Sequence, residues 1–384
     1  MRKILLIIFA VPLLAGLGWW YFHQREIANL DPGYREYAYI SNGKSNTVSV
    51  IDLRTFRLER TLHVGAGPTG IAANPKKNEV YVVNSGSANV SVIDAERNAV
   101  VGTIGVQGVP YFIDVSPDGR RAYVANSGSN SVSVIDLEER RVLGNIRVGG
   151  APGLARVSPD GAIVVVSNRG GDSAAFIDAR RLSLRSTIPL CHEPTDIAIL
   201  PDSSKAFVAC SGSAQVASVD LKTDKLLDLL DVGKTPVSLT LKPDGGELVV
   251  CNFDSDTISI IETGTDEVSG SYLIGRHPTR GVVSADNSRL YVSNFGSDAV
   301  AVYDIDMGKV IASLPVGRAP DGLALSQSQN YLLVLDTQSG DATLIQKRKP
   351  RKLEPGEYGL LTMIPAGAQP NNVVVKAFWL KTLH

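Results

Sequence analysis

The chain of 384 residues carries 38 Lys and Arg against 39 Asp and Glu, a formal net charge of −1, with 44% hydrophobic residues. That balance excludes a disordered or collagen-like chain and offers no global positive charge to attract nucleic acid. Three cysteines and five histidines leave little material for a metal framework or disulfide scaffold, whereas 36 Gly and 20 Pro with only 6% aromatics point to many tight turns and short strands.

The first predicted element is a leader. Met1-Arg2-Lys3 precedes an unbroken apolar run from Ile4 to Phe22. As a helix that run would span roughly 28 Å, close to the hydrocarbon thickness of a bilayer. Residues 1–22 therefore read as an N-terminal membrane anchor. Arg2 and Lys3 stay cytoplasmic and the remainder is carried outside, to the periplasm or cell surface. A cleaved signal peptide is the alternative, but the only passable site, Gly16-Leu17-Gly18, lies inside the run and ahead of Trp19-Trp20-Tyr21-Phe22. Residues 23–36 read as a linker and residues 37–384 as a single domain.

From Tyr37 one pattern recurs. Tyr39-Ile-Ser-Asn42, Tyr81-Val-Val-Asn84, Tyr123-Val-Ala-Asn126, Val165-Val-Ser-Asn168, Phe207-Val-Ala-Cys210, Val249-Val-Cys-Asn252, Tyr291-Val-Ser-Asn294 and Leu333-Val-Leu-Asp336 stand at 42-residue intervals without a slip. Ten residues after each, a second segment ends in an acid, at Asp52, Asp94, Asp136, Asp178, Asp220, Glu262 and Asp304, with Gln346 in the last copy. A third segment is followed by a proline (Pro68, Pro110, Pro152, Pro194, Pro236, Pro278, Pro320), and a fourth runs into a turn such as Ser116-Pro-Asp-Gly119. Four short β-branched runs per repeat of this length are what a propeller blade requires, and a single such sheet must stack on neighbours to bury both faces.

These tetrapeptides resemble those of the YVTN-repeat β-propellers, which are widespread in prokaryotic exported and surface proteins, over nearly everything from Tyr37 to Ile345. The resemblance implies an all-β propeller of four-stranded blades and no shared reaction. Related-looking propellers include lactonases and haem d1-binding domains. The proline-led strand is called a, the Tyr-Val-x-Asn strand b, the strand ending in the acid c, and the next one d. Strands b and c occur eight times; an eighth d is expected at Tyr358 to Ile364. The first b lacks an a of its own, and Gln369-Pro370-Asn-Asn-Val373 to Phe378 supplies one. Eight blades are expected, with seven as the alternative, and the C-terminal strand should close the ring on the N-terminal blade, removing an open edge.

Residues repeated in every blade answer to a constraint shared by every blade. The Asn that ends strand b should bond local backbone and tolerate left-handed geometry, and the acid that ends strand c should cap the c–d turn. Function is expected where blades differ. On the top face, formed by b–c and d–a loops, early copies are bland, whereas later b–c loops gain Arg169, Asp172, Asp254, Asp256, Asp298 and Asp341. The d–a loops gain His192, Arg276, His277, Arg280, Arg318 and Asp321, which form a candidate ligand-binding arc around the channel mouth. Cys191 and Cys210 lie at adjoining ends of an a–b pair and form a candidate disulfide, with Cys251 as a competitor. Lys347, Arg348, Lys349, Arg351 and Lys352 follow the eighth c strand on the bottom face, where the leader also enters. They form a candidate contact with anionic lipid.

Catalytic signatures are scarce: there is no Cys-x-x-Cys-His, His-Glu-x-x-His, Gly-x-Ser-x-Gly or phosphate-loop motif. No metal site or cofactor is expected, nor a nucleic-acid partner, since the aromatic interleaving of such surfaces is missing. The expected function is a non-catalytic binding face for a protein or polysaccharide. An enzyme or redox-cofactor propeller, haem d1-like or lactonase-like, is the alternative.

Overall fold

The computed structural model describes residues 32–348 and 357–380, so the apolar run 1–22, most of the linker, and Lys349, Arg351 and Lys352 lie outside the described residues. Eight four-stranded antiparallel sheets follow one another around a ring, each ordered a-b-c-d from the inside out. Seven blades use consecutive strands, as in blade 3, built from Pro110–Val115, Arg121–Asn126, Ser131–Asp136 and Arg141–Arg147. Blade 1 joins Tyr34–Asn42, Thr47–Asp52 and Arg57–His63 to Pro370–Trp379, which pairs antiparallel with the first of them from Tyr34↔Trp379 to Asn42↔Pro370. The eighth d strand is Tyr358–Pro365.

The core lies between blades rather than within them. Strands b and c are sandwiched on both faces, so Tyr81, Val83, Val90 and Val92 of blade 2 pack on Ile113, Ala122, Val124 and Ile135 of blade 3. The same layer crosses the closure, where Leu333, Leu335 and Leu344 of blade 8 meet Ala38, Ile40 and Ile51 of blade 1. Each fully buried aliphatic side chain contributes about 1.5–3 kcal/mol. Continuous apolar runs in b and c follow from burial on two sides, whereas the outer d strands mix exposed polar and apolar residues, as in Arg57–His63 and Lys225–Asp231. Every c–d pair slips register at one point, for example between Val50 and Ile51 or Val134 and Ile135. Such bulges increase the local right-handed twist of the outer edge.

The recurrent acid caps the c–d turn as expected: Asp136 Oδ1 accepts from the backbone N–H of Glu138 and Glu139, each at 2.9 Å. The recurrent Asn behaves differently from expectation. Asn84 has φ −108° and ψ 95°, an extended rather than left-handed conformation. Its amide, like that of Asn126, donates across to the c strand: Asn126 Nδ2 reaches Ser131 Oγ at 3.2 Å and Ser133 Oγ at 2.9 Å. The physical reason is burial. A fully buried amide at the end of b needs partners, and the small hydroxyls of c supply them. The d–a loop presses down on this side chain so closely that a Cβ on Gly149 would fall 2.5 Å from Asn168, and one on Gly233 2.7 Å from Asn252. In the eighth copy Asp336 takes the place of Asn. It accepts the Thr343 hydroxyl at 2.5 Å, and burial pushes its carboxyl up to about 7.

Candidate functional site

The top face is ordered by one backbone device used in all eight blades. The residue before each inner-strand proline adopts a positive φ, from Gly67 at 61° and Val109 at 50° to His277 at 51° and Gln369 at 59°. The residue before that offers its carbonyl to the neighbouring b–c loop, as in Gly86 N–H to Ala66 O at 2.9 Å and Gly296 N–H to Arg276 O at 3.0 Å. The left-handed conformation of His277 is thus part of the repeat and not a mark of catalytic strain.

Because the backbone is fixed, the side chains at that second position are presented equivalently. Going round the ring from blade 1 they are Ala368, Ala66, Gly108, Gly150, His192, Lys234, Arg276 and Arg318. Four consecutive blades therefore carry exposed cationic or titratable groups at matching positions. Lys234 was not among the sequence candidates. Its offset of two residues from Pro236 is the signal that identifies it. Lys234, Arg276 and Arg318 make no side-chain hydrogen bond or ion pair with the described residues. His192 is held by Asp172, with Nδ1 2.8 Å from Oδ2, and the hydrogen bond and charge of that carboxylate raise its pKa. His277 stacks on Phe253 with ring centroids 4.4 Å apart and planes at 20°, and its Nδ1 lies 3.1 Å from the Phe253 carbonyl oxygen. Phe295 stands 6.4 Å from Phe253, so the loops of blades 6 and 7 carry a small aromatic platform beside Arg276.

Three of the acids gained by later b–c loops serve the frame. Asp172, Asp256 and Asp298 all have positive φ and accept the backbone N–H of Glu193, His277 and Ala319, at 2.9, 2.9 and 2.8 Å. Asn130 does the same for Ala151 in an early blade. These carboxylates tie adjacent loops together.

Arg280 and Asp321 separate from the rest of the arc. They lie on the inner strands Pro278–Val283 and Pro320–Leu325, facing the central channel, with Arg280 Nε 3.6 Å from Asp321 Oδ1. Burial opposes the Arg280 charge, but Asp321, Asp196 and Tyr111 outweigh it and raise its pKa. Tyr111 belongs to blade 3, diametrically opposite blade 7, so the charge is felt across the channel. Three channel residues escaped the sequence reading: Asp114, Arg156 and Asp196. Arg156 lies over the Phe112 ring at 4.4 Å, and its Nη2 is 3.9 Å from Asp196 Oδ1. Burial pushes the Asp114 carboxyl up against the opposing pull of Arg156 and two backbone N–H groups.

Elsewhere, Cys191 and Cys210 form a disulfide with Cα atoms 5.7 Å apart, and Cys251 is a buried free thiol pushed up to about 12 by burial. On the bottom face Lys347 Nζ lies 3.8 Å from Glu357, which also meets Arg289, and Arg348 is exposed. Tyr34 begins its strand on this same face, its ring 5.0 Å from that of Trp379. Among the described residues no group of three or more His, Cys, Asp or Glu could hold a metal ion, and no helix is long and apolar enough to cross a membrane.

Comparison with known proteins agrees on the fold. A family model described as YNCE-like beta-propeller matches residues 35–159. The chain is a β-propeller. No curated protein matches it at the level of sequence. Among solved structures it is similar to Kuenenia stuttgartiensis hydrazine synthase, with a TM-score of 0.59 at 23% identity over 69% of this chain and 91% of that one. It is also similar to the dihydro-haem d1 dehydrogenase NirN, with a TM-score of 0.72 at 13% identity over 88% and 74% of the two chains. A functionally unknown protein from Desulfotomaculum acetoxidans aligns with a TM-score of 0.61 at 16% identity over 78% and 99%. At these identities the likeness is one of fold alone.

Proposed function

We propose that this is an exported, membrane-tethered, non-catalytic propeller whose top face binds an acidic polysaccharide. The observation that carries the reading is the arc of Lys234, Arg276 and Arg318, three cations without a side-chain partner among the described residues, at equivalent positions on consecutive blades. The Phe253–His277–Phe295 platform lies beside them. Flat aromatic faces suit stacking against sugar rings, and guanidinium groups suit uronate carboxylates. The leader Arg2-Lys3 followed by Ile4–Phe22 supports export and tethering, and the Cys191–Cys210 disulfide, which belongs to an oxidising compartment, supports export. The bottom face, where Tyr34 enters, then lies toward the membrane with Lys347 and Arg348, and the top face is directed away.

The test is binding of purified protein to a soluble polyuronate, with a neutral glucan as control. Retention that falls with salt, and at least about tenfold weaker binding by the combined Lys234→Ala, Arg276→Ala and Arg318→Ala variant, is the expected result. Equal binding by variant and parent overturns the reading, and capture of an exported protein instead of glycan redirects it. A visible absorption band in the purified protein would favour the alternative of a redox-cofactor propeller, the chemistry named for the NirN structure.

A further inference from the structure

We propose that a two-stranded ribbon of blade 1 docks the propeller on the membrane surface, with Trp379 and Tyr34 seated at the boundary between lipid headgroups and acyl chains. Docking presupposes the tether proposed above. In blades 2 to 8 a turn on the bottom face joins strands a and b, as where Asn74 N–H meets Glu79 O at 2.9 Å. Blade 1 draws these two strands from opposite ends of the chain and has no turn there, so the pair runs on. Tyr37↔Lys376 is the rung equivalent to Glu79 and Asn74, and three more follow it: Glu36↔Ala377, Arg35↔Phe378 and Tyr34↔Trp379. They add about 10 Å of strand. Beyond them Leu380 N–H still reaches Gly33 O at 2.9 Å.

Side chains of the inner strand alternate between two neighbours. Val374 and Phe378 pack into the core shared with blade 2, and Val373 and Val375 pack on blade 8. Trp379 falls on the blade 8 side but past the edge of that core, so it is 62% exposed where Phe378 beside it is 5% exposed. The tip is nevertheless braced. The Trp379 ring lies 5.0 Å from that of Tyr34, whose hydroxyl donates to Glu36 Oε2 at 3.0 Å and whose carbonyl accepts from Arg54 Nη1 at 2.6 Å. Glu36 Oε1 accepts the N–H of Gln327 in blade 8, and Lys376 Nζ donates to the Asn74 carbonyl in blade 2, both at 2.6 Å. A fixed, exposed indole costs apolar surface in water that a lipid interface recovers, and Trp and Tyr favour that interface because each has an apolar body and a polar end. Residues 23–33 separate Phe22 from Tyr34, a reach of at most about 40 Å when extended, so the tip is where the tether meets the propeller. Charge agrees with an anionic surface. Glu36 is buried and bonded twice, and Glu357 is paired with Lys347 and Arg289, whereas Arg35 and Arg348 share this face.

The experiment is tryptophan fluorescence of the full-length protein reconstituted in vesicles of phosphatidylcholine and phosphatidylglycerol. Tryptophan stands only at positions 19, 20 and 379, so Trp19→Phe with Trp20→Phe isolates Trp379. Its emission should fall at least about twofold when the lipid carries bromine on the acyl chains near the headgroup, and it should resist quenching by aqueous iodide. Trp379→Phe alone leaves Trp19 and Trp20 to report on the anchor. Phe295→Trp, placed in a chain with all three tryptophans changed to Phe, reports on the top face and should be quenched by iodide and not by brominated lipid. Quenching of Trp19 and Trp20 by brominated lipid with none at Trp379 overturns docking and leaves the tether standing. Quenching at none of the three overturns the tether and docking with it. Equal quenching by brominated lipid at Trp379 and on the top face also overturns the proposal.

Discussion

On blades 1 to 4 the loop residue two before the inner-strand proline is Ala368, Ala66, Gly108 or Gly150; on blades 5 to 8 it is His192, Lys234, Arg276 or Arg318. The backbone hydrogen bond from the neighbouring loop is the same in both halves, and so is the positive φ of the next residue. The frame is therefore indifferent to which side chain stands there. Half the ring leaves the position blank, and the other half writes charge on it. The two halves teach that in this molecule repeated residues carry architecture, while recognition is confined to positions whose backbone is constrained and whose side chain is free.

That division can be broken or sharpened by substitution. The largest effect should come from the architecture shared by both halves. Deleting residues 370–384 removes the inner strand of blade 1, exposes an unpaired edge, and should abolish cooperative thermal unfolding or cause aggregation in a scattering assay. Next is the copy in which an ionisable group replaces the recurrent Asn. Asp336 titrates near 7 when folded and in the ordinary carboxylate range when unfolded, so its contribution is fully present in acid and lost as pH rises through that window. Asp336→Asn restores the amide found in other blades. It should raise denaturant stability by about 2–4 kcal/mol at pH 8, with little change at pH 4.

Reduction of the Cys191–Cys210 bond, which spans 19 residues, should cost about 3 kcal/mol in a urea melt. Unfolded protein should then titrate one thiol without reductant and three with it. Asn126→Ala leaves Ser131 and Ser133 without their buried donor and should cost about 1–3 kcal/mol. Smallest in stability are Lys234→Ala, Arg276→Ala and Arg318→Ala. Each should remain within about 0.5 kcal/mol of wild type while the polyanion is lost. A large stability loss at these three would refute the division itself.

Much of the frame was legible because a strict 42-residue spacing leaves few ways to fold, and Gln369-Pro370 repeats the start of every other inner strand. The sites were less so. Arg280 and Arg276 are four residues apart and read alike as loop charge, yet one faces the channel and the other the rim. The inner strands shift register at different points, Pro110 to Phe112 in one blade and Pro68 to Ile71 in another, so equal spacing from the proline does not by itself assign a side chain to a face. Asp114, Arg156 and Asp196 were hidden for that reason. Lys234 was overlooked for a simpler one: a lone lysine in a turn is ordinary until the ring aligns it with its neighbours.

The shared first blade also has a consequence in time. Its three N-terminal strands are made first, but its inner strand Pro370–Trp379 is the last described strand to be synthesised. Until it arrives, blade 1 shows an unoccupied edge and the ring is an open arc. Closure thus waits until every blade has been made, and a product cut short before residue 370 would display that edge to chaperones and proteases.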